Sequence, residues 1–433
     1  LIDEWNRKSW IESANDPVGG FPLQSLPYCV FAAEDGRARI GVGIGTFVLD
    51  LQHCSRGGLF ERLPIDLQTA CQARTLNALM ACDASALASL RTRLMHLLDT
   101  QADAATQQVL SASLTPMAEV ALLKPVEPAD YTDFYASIHH ATRVGRLFRP
   151  DQPLLPNYKF VPIGYHGRAS SVVVSGTPVR RPHGQTKPGA SGIPSFGPTR
   201  SLDYEVEVGA YIARSNPLGE PVSINHARER IFGLSLLNDW SARDVQSWEY
   251  QPLGPFLAKS FATSVSPWVV PMAALDPFRV PVEPRAAGDP APLPHLFDPT
   301  DQTTGAIDLT VEAFLLTAKM RAAGHAPYRL SSANLRDLYW TLAQMVAHHT
   351  SNGCNLLPGD LLGTGTISGA EENSAGCLLE LTRGGAEPIH LPNGESRAYL
   401  EDGDEVIFRG ICRRDGYPLV SFGECRGLVL SAI

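Results

Sequence analysis

The chain has 433 residues, 44% of them hydrophobic and 19% charged, with a formal net charge of −9 at pH 7. That length supports a sizeable core in two or three domains, and the composition is ordinary for a globular enzyme. There is no basic tract or Lys/Arg stripe, which argues against nucleic acid as a main partner, and no apolar run approaches the roughly 18 residues of a membrane-spanning helix.

Residues 1–16 are polar and carry no apolar h-region, so a cytoplasmic location is expected. The eight cysteines (29, 54, 71, 82, 354, 377, 412 and 425) form no CxxC pair and no close Cys/His zinc spacing. They read as free thiols in a reducing compartment.

Residues 24–51 alternate and are rich in β-branched residues and Gly, which predicts a small β unit with tight turns. Gly41-x-Gly43-x-Gly45 is not a dinucleotide loop, because the spacing is not GxGxxG and 47–51 continues as strand rather than opening a helix. From 64 to 113 the composition turns to Ala, Leu and Gln with helical periodicity (Leu87, Leu90, Leu94, Leu97, Leu98). A first domain over 1–118 and a second over 119–433 are expected.

Past 120, strands are predicted at 170–174, 179–181, 202–212, 268–270, 307–316 and 378–381. Helices are predicted at 134–146, 224–230, 241–250 and 332–349. The class is therefore α+β, mostly β. The Pro- and Asp-rich stretch 276–305 reads as a surface excursion.

In Leu202-Asp203-Tyr204-Glu205-Val206-Glu207-Val208 acidic and apolar residues alternate, so a strand sets Asp203, Glu205 and Glu207 on one face. Carboxylates that close repel, and a hard cation such as Ca2+ or Mg2+ would compensate them; a solvated acidic face is the plainer alternative. Asp239 ends an apolar run and precedes Ser241-Ala242-Arg243-Asp244, a capping-box pattern. The helix that follows sets Arg243, Gln246 and Tyr250 on one polar face. Lys259 lies in the apolar run Pro255-Phe256-Leu257-Ala258-Lys259, where it either snorkels to solvent or is paired and steadies negative charge. On a helix, Asp133 and His140 would share a face two turns apart, and either His140 or its neighbour His139 is a candidate general base. No GxSxG elbow, HExxH or P-loop occurs, and Cys354 near His348 and His349 is better read as a structural thiol than as a nucleophile.

Taken in order, Tyr131-Thr132-Asp133-Phe134-Tyr135, Gly164-Tyr165-His166-Gly167-Arg168-Ala169-Ser170-Ser171, Asp203-x-Glu205-x-Glu207, Asn238-Asp239-Trp240-Ser241-Ala242-Arg243-Asp244, Gln251-Pro252-Leu253-Gly254-Pro255-Phe256-Leu257-Ala258-Lys259-Ser260, Asn352-Gly353-Cys354-Asn355-Leu356 and Gly365-Thr366-Ile367-Ser368-Gly369 form a recognisable series. From about residue 20 to about 430 the chain resembles the fumarylacetoacetate hydrolase family, in its fumarylacetoacetase branch. The resemblance implies an SH3-like amino-terminal β domain, a mixed β-sandwich roll and a homodimer. It implies Ca2+ on Asp133, Glu205, Glu207 and Asp239, and Mg2+ near Asp239, Lys259 and Thr263. By the same likeness His140, which directly precedes Ala141-Thr142-x-Val144-Gly145, is the base and Glu380 orients it. Arg243, Gln246 and Lys259 would stabilise charge, while Tyr135, Arg149, Gln246, Tyr250 and Thr366 would hold the small-molecule substrate, fumarylacetoacetate. The alternatives are a related acylpyruvate-type hydrolase, a decarboxylase or isomerase of diketo acids, and a non-catalytic cation-binding scaffold.

Overall fold

The computed structural model describes residues 2–17, 19–33, 35–189 and 192–433. The amino-terminal β unit is a five-stranded antiparallel sheet in the order Leu114–Pro116, Phe47–Asp50, Ala38–Ile44, Tyr28–Ala32, Ala121–Leu123. Gly41 belongs to this sheet, where a Cβ would come 2.4 Å from the Val48 side chain; close packing, not phosphate binding, explains the glycine there. Helices Ile65–Ala70, Asn77–Met80, Ala84–Leu98 and Ala104–Ser111 cover it, and the expected periodic leucines Leu90, Leu94, Leu97 and Leu98 are buried.

Behind this unit lies a mixed sheet in the order Gly164–His166, Tyr131–Phe134, Leu361–Gly363, Val206–Ile212, Ile231–Asp239, Thr263–Val265, Val172–Val174, with Val270–Pro271 beside Ile231–Asp239. Every residue of Val206–Ile212 and of Ile231–Asp239 is buried, because both faces of the sheet are covered. Tyr211, Phe232 and Leu237 pack into the amino-terminal core. Val206, Val208, Leu234 and Leu236 pack the other way, against a five-stranded sheet of Tyr328–Asn334, Thr310–Leu316, Glu405–Cys412, Val420–Leu430 and Val179–Arg180. Trp240, Phe408 and Phe422 fill the space between those two sheets.

Several expected elements differ. The 202–212 strand is interrupted: Leu202–Asp203 pairs with Ser241–Ala242, and the central strand starts only at Val206. Asp203 therefore does not continue the face of Glu205 and Glu207. Asp133 and His140 do not share a helix, since Tyr131–Phe134 is a strand and the helix begins at Ile138, where the Ser137 hydroxyl accepts the His140 N–H. Residues 378–381 form a helical turn rather than a strand, because Asp203 accepts the backbone N–H groups of Leu378 and Leu379 at 2.8 and 2.9 Å. The predicted 332–349 helix splits into the end of the strand Tyr328–Asn334, a turn, and the helix Leu342–Thr350, which opens on a Thr341/Gln344 capping box. No side-chain cap precedes Arg243–Glu249, so the capping box read there is absent. Part of the 276–305 stretch is built in rather than superficial. Phe278 and Leu296 are buried, and Leu296 O and the Asp301 carboxylate accept from Gln344 and Thr341.

Phe408 sits fully buried between the two large sheets. Phe408→Ala is expected to lower the unfolding free energy by about 3–5 kcal/mol, whereas exposed Ile65→Ala changes it by less than about 0.5 kcal/mol. Urea denaturation of the two variants checks this, and equal midpoints would contradict the packing described.

Candidate active site

The central sheet delivers four carboxylates to one end of neighbouring strands. Asp133 is opposite Gly363 in a parallel pair, and Glu207 lies one strand further on. Asp239 ends its own strand opposite Thr263, while Glu205 comes from the break before Val206. One oxygen from each of Asp133, Glu205, Glu207 and Asp239 falls within 4.8 Å of the others, and all four residues are buried. Glycine at 363 is required for this approach, since a Cβ there would meet Asp133 Oδ1 at 2.5 Å and Glu207 Oε2 at 3.0 Å.

Burial pushes Asp133 and Glu207 well above the usual carboxylate range, and the neighbouring carboxylates push them further. Glu205 is the opposite case. Burial would raise it too, but Lys259 and Arg243 outweigh that and hold it low. Lys259 Nζ donates to Glu205 and, at 2.7 Å, to Asp239; burial works against its charge, yet those two carboxylates keep it raised. Snorkelling is thereby excluded: the side chain is 5% exposed and paired. Lys259 reaches the cluster as a cation that neutralises carboxylates. The Thr263 hydroxyl stands 3.5 Å from Asp239 Oδ1.

Arg243 opens the helix Arg243–Glu249 and reaches the same cluster from the side. Its Nε donates to Asp203 at 2.9 Å, and one terminal nitrogen donates to Glu205 at 2.7 Å and to Gln246 Oε1 at 3.1 Å. The other terminal nitrogen is buried with no hydrogen-bond partner. His140 sits in the first turn of Ile138–Phe148, with Nδ1 2.6 Å from Glu380 Oε1. Burial works against ionised Glu380, but His140, Ser368 and Arg143 together bring it down to about 2. A carboxylate held on Nδ1 leaves Nε2 as the nitrogen available to take a proton.

These groups line one cleft of about 380 Å³, with Asp133, Glu205, His140, Arg243 and Lys259 on its polar side and Val144, Phe148, Leu155, Leu253 and Leu379 among its apolar residues. Of the expected substrate residues, Tyr135, Arg149, Gln246, Tyr250 and Thr366 all line it. The Tyr135 ring stands edge-on to His140, 5.2 Å between centroids. Arg149 Nε and Thr366 Oγ1 are buried without partners, like the free nitrogen of Arg243, so three donors in cleft-lining residues are unsatisfied by the protein itself.

All the expected site residues thus converge, and the sequence alone missed others. Tyr165 donates to Asp239 at 2.7 Å, Ser368 to Glu380 at 2.8 Å and Arg143 to Glu380 at 3.2 Å. Arg143 lies three residues after His140, so helical spacing could have flagged it; Tyr165 and Ser368 lie inside two of the motifs that carry the resemblance, which gave them no role. Asp203 serves Arg243 and the turn that carries Glu380, not the carboxylate cluster. Cys354 is no nucleophile of this cleft: it is absent from the lining, and His349 is bonded to Thr132.

The donor set fits a hard divalent cation. It is all oxygen, carries more negative charge than Lys259 and Arg243 neutralise, and includes a buried Glu207 oxygen with no hydrogen-bond partner.

Residues 24–125 match the family model described as fumarylacetoacetase N-terminal, and residues 130–427 match fumarylacetoacetate (FAA) hydrolase C-terminal. The fumarylacetoacetase of Homo sapiens is 46% identical over 432 residues, covering 98% of this chain and 99% of that protein. That of Arabidopsis thaliana is 44% identical over 428 residues, covering 98% of each. Among solved structures, a fumarylacetoacetate hydrolase from psychrophilic Exiguobacterium antarcticum superposes with a TM-score of 0.51 at 17% identity, over 94% of this chain and 99% of that one, a likeness of fold. With both family models matched and identity this high over nearly the whole length, the chain belongs to the fumarylacetoacetase family.

Proposed function

We propose that this enzyme hydrolyses the carbon–carbon bond of fumarylacetoacetate, a β-diketone, to fumarate and acetoacetate, the last step of tyrosine and phenylalanine breakdown. The observation that carries the reading is one cleft lined by His140, which Glu380 holds from behind, by Asp133 and Glu205 of the convergent carboxylate cluster, and by residues with unpartnered buried donors. It is supported by the high identity to curated fumarylacetoacetases over the whole length.

His140 Nε2 takes a proton from water, and the resulting hydroxide adds to the carbonyl next to the fumaryl group. Glu380 on Nδ1 fixes the tautomer and stabilises the imidazolium that forms. Collapse of the tetrahedral alkoxide breaks the C–C bond, and its electron pair leaves on the acetoacetate enolate. The imidazolium returns the proton to that carbon, so one water is consumed and the base is restored. Arg243, Gln246 and Lys259 face the negative charge as it develops. Tyr135, Arg149, Tyr250 and Thr366 hold the substrate, the orphan donors of Arg149 and Thr366 suiting its carboxylate and carbonyl oxygens. When bound on Asp133, Glu205, Glu207 and Asp239, Ca2+ supplies Lewis-acid polarisation of the diketone. Mg2+ is the further cation of this reading, with Asp239 and the Thr263 hydroxyl as its oxygen donors beside Lys259.

The amino-terminal part, read as residues 1–118, is an SH3-like barrel in this reading, supported by its small antiparallel sheet, whose fifth strand Ala121–Leu123 runs just past that bound; 119–433 is read as the catalytic roll. The family matches separate between 125 and 130, in line with a division in this region. A homodimer is supported by exposed Phe148, Leu253, Phe256 and Leu257, two of them at the mouth of the cleft. A cytoplasmic location is part of the same reading; no helix among the described residues is long and apolar enough to cross a membrane.

Purified protein is expected to release fumarate and acetoacetate in equal amounts from fumarylacetoacetate, with turnover stopped by a chelator and restored by Ca2+. Turnover of an acylpyruvate but not of this substrate would move the assignment to the related diketo-acid hydrolases. His140→Ala should lower kcat by about 10²–10⁴, measured by single-turnover kinetics; an undiminished rate removes the proposed base. Glu380 stays ionised down to about 2, with His140, Ser368 and Arg143 holding it there. Glu380→Gln removes the carboxylate held on Nδ1, so kcat should fall by at least about tenfold with the fold retained; an unchanged kcat would contradict the pairing.

A further inference from the structure

Outside the carboxylate cluster, a second set of metal-ligating side chains meets in the interior. A ligand atom of Cys377, one of His140 and one of Glu380 lie within 4.8 Å of one another, and all three residues are buried. We propose that Cys377 completes, with His140 and Glu380, a second metal site that takes a borderline-soft divalent cation such as Zn2+ and silences the dyad when filled. The site stands on geometry alone; only the silencing rests on reading His140 as the base.

Local structure builds the site from two helix starts. Cys377 is the extended residue preceding the turn Leu378–Leu381, and Glu380 follows three residues later. His140 enters from the first turn of Ile138–Phe148. The Cys377 Sγ lies 3.3 Å from Glu380 Oε1, and His140 Nδ1 lies 2.6 Å from the same oxygen. A tetrahedral zinc with bonds of about 2.0–2.3 Å sets its ligand atoms roughly 3.3–3.6 Å apart. The sulfur and oxygen already stand at that spacing, while His140 must open from Glu380 by about 0.7 Å. The Ser368 hydroxyl, 2.8 Å from Oε1, stays in place to orient the carboxylate.

Chemistry separates this site from its neighbour. The carboxylate cluster offers oxygen only and suits Ca2+ or Mg2+, whereas thiolate, imidazole and one carboxylate select zinc-like ions. Burial, with Glu380 adding to it, pushes the Cys377 thiol well up, so it is an S–H group until a metal displaces the proton. Filling the site forms three bonds from the protein to the metal, with a water as the fourth, neutral ligand, and releases one proton, from sulfur. The imidazole stays neutral but changes tautomer: Nδ1 gives up its hydrogen to bind metal, and Nε2 acquires one. Nε2 then donates, and it cannot take a proton from water. Thiolate and carboxylate balance the two positive charges, so the Arg143 contact to the other Glu380 oxygen, at 3.2 Å, is retained.

The test is titration of Co2+ into the full chain held in saturating Ca2+. One equivalent should produce a thiolate-to-cobalt ultraviolet band with the visible bands of tetrahedral cobalt, bleached by Zn2+ and absent in Cys377→Ser. In parallel, Zn2+ should inhibit turnover despite saturating Ca2+, with the half-inhibiting concentration at least tenfold higher in Cys377→Ser. Should that variant fail to fold, X-ray absorption of the Zn2+-loaded wild type should show one sulfur neighbour among nitrogen and oxygen. An oxygen and nitrogen shell alone, or a cobalt band unchanged in Cys377→Ser, would overturn the proposal. A cobalt band in protein that leaves fumarylacetoacetate intact would retain this site and refute the assigned reaction; normal turnover without the band would do the reverse.

Discussion

Mutual repulsion of the buried carboxylates is the constraint on which the site depends. At about 4 Å apart, in surroundings of effective dielectric near 20, each pair of like unit charges costs about 4 kcal/mol. One oxygen from each of Asp133, Glu205, Glu207 and Asp239 lies within 4.8 Å of the others, and all four residues are buried. Lys259 and Arg243 bond directly only to Glu205 and Asp239 within the cluster, while Lys259 acts on Asp133 through space. Asp133 and Glu207 are left to each other and to two backbone contacts from Gly365. A divalent cation would resolve that imbalance.

The rigidity comes from burial on both faces of the central sheet. Its two long strands are covered by the amino-terminal unit on one side and by the second sheet on the other. Strands so fixed put Asp133, Glu207 and Asp239 in place, and only Glu205 comes from an irregular break. The acid–base side is attached differently. Asp203 sits in the break of the 202–212 run and accepts from Arg243 and from the turn bearing Glu380. One buried carboxylate thereby ties Arg243 to the dyad, and the alternating acids divide: Glu205 and Glu207 join the carboxylate cluster, while Asp203 aligns the groups beside it.

Much of this was legible in the residues. Alternation around Glu205 and Glu207, and the helical face of Arg243, Gln246 and Tyr250, led to side chains that do line the cleft. Leucine periodicity located the amino-terminal helices. What periodicity could not convey was the interruption at Tyr204, because a buried run looks the same whether its strand is continuous or broken. The Asp133 to His140 spacing misled for a related reason: seven residues is two helical turns, but it is also a strand, a bend and a first turn. Leu378–Leu381 resembled a strand since four apolar or acidic residues carry no period long enough to tell the two apart. Cys377 meets Glu380 within one local turn that was read as a strand, and Ser368 reaches it from twelve residues upstream.

The claim that the carboxylate cluster is a hard-cation site is tested most directly by calorimetric titration of Ca2+ into metal-stripped protein, beside Asp133→Asn and Glu207→Gln. One saturable site per chain is expected in the native protein, with affinity reduced at least tenfold in either variant while its fold is retained by circular dichroism. No binding by the native protein, or the same affinity in all three, would contradict the account of why these four acids are buried together.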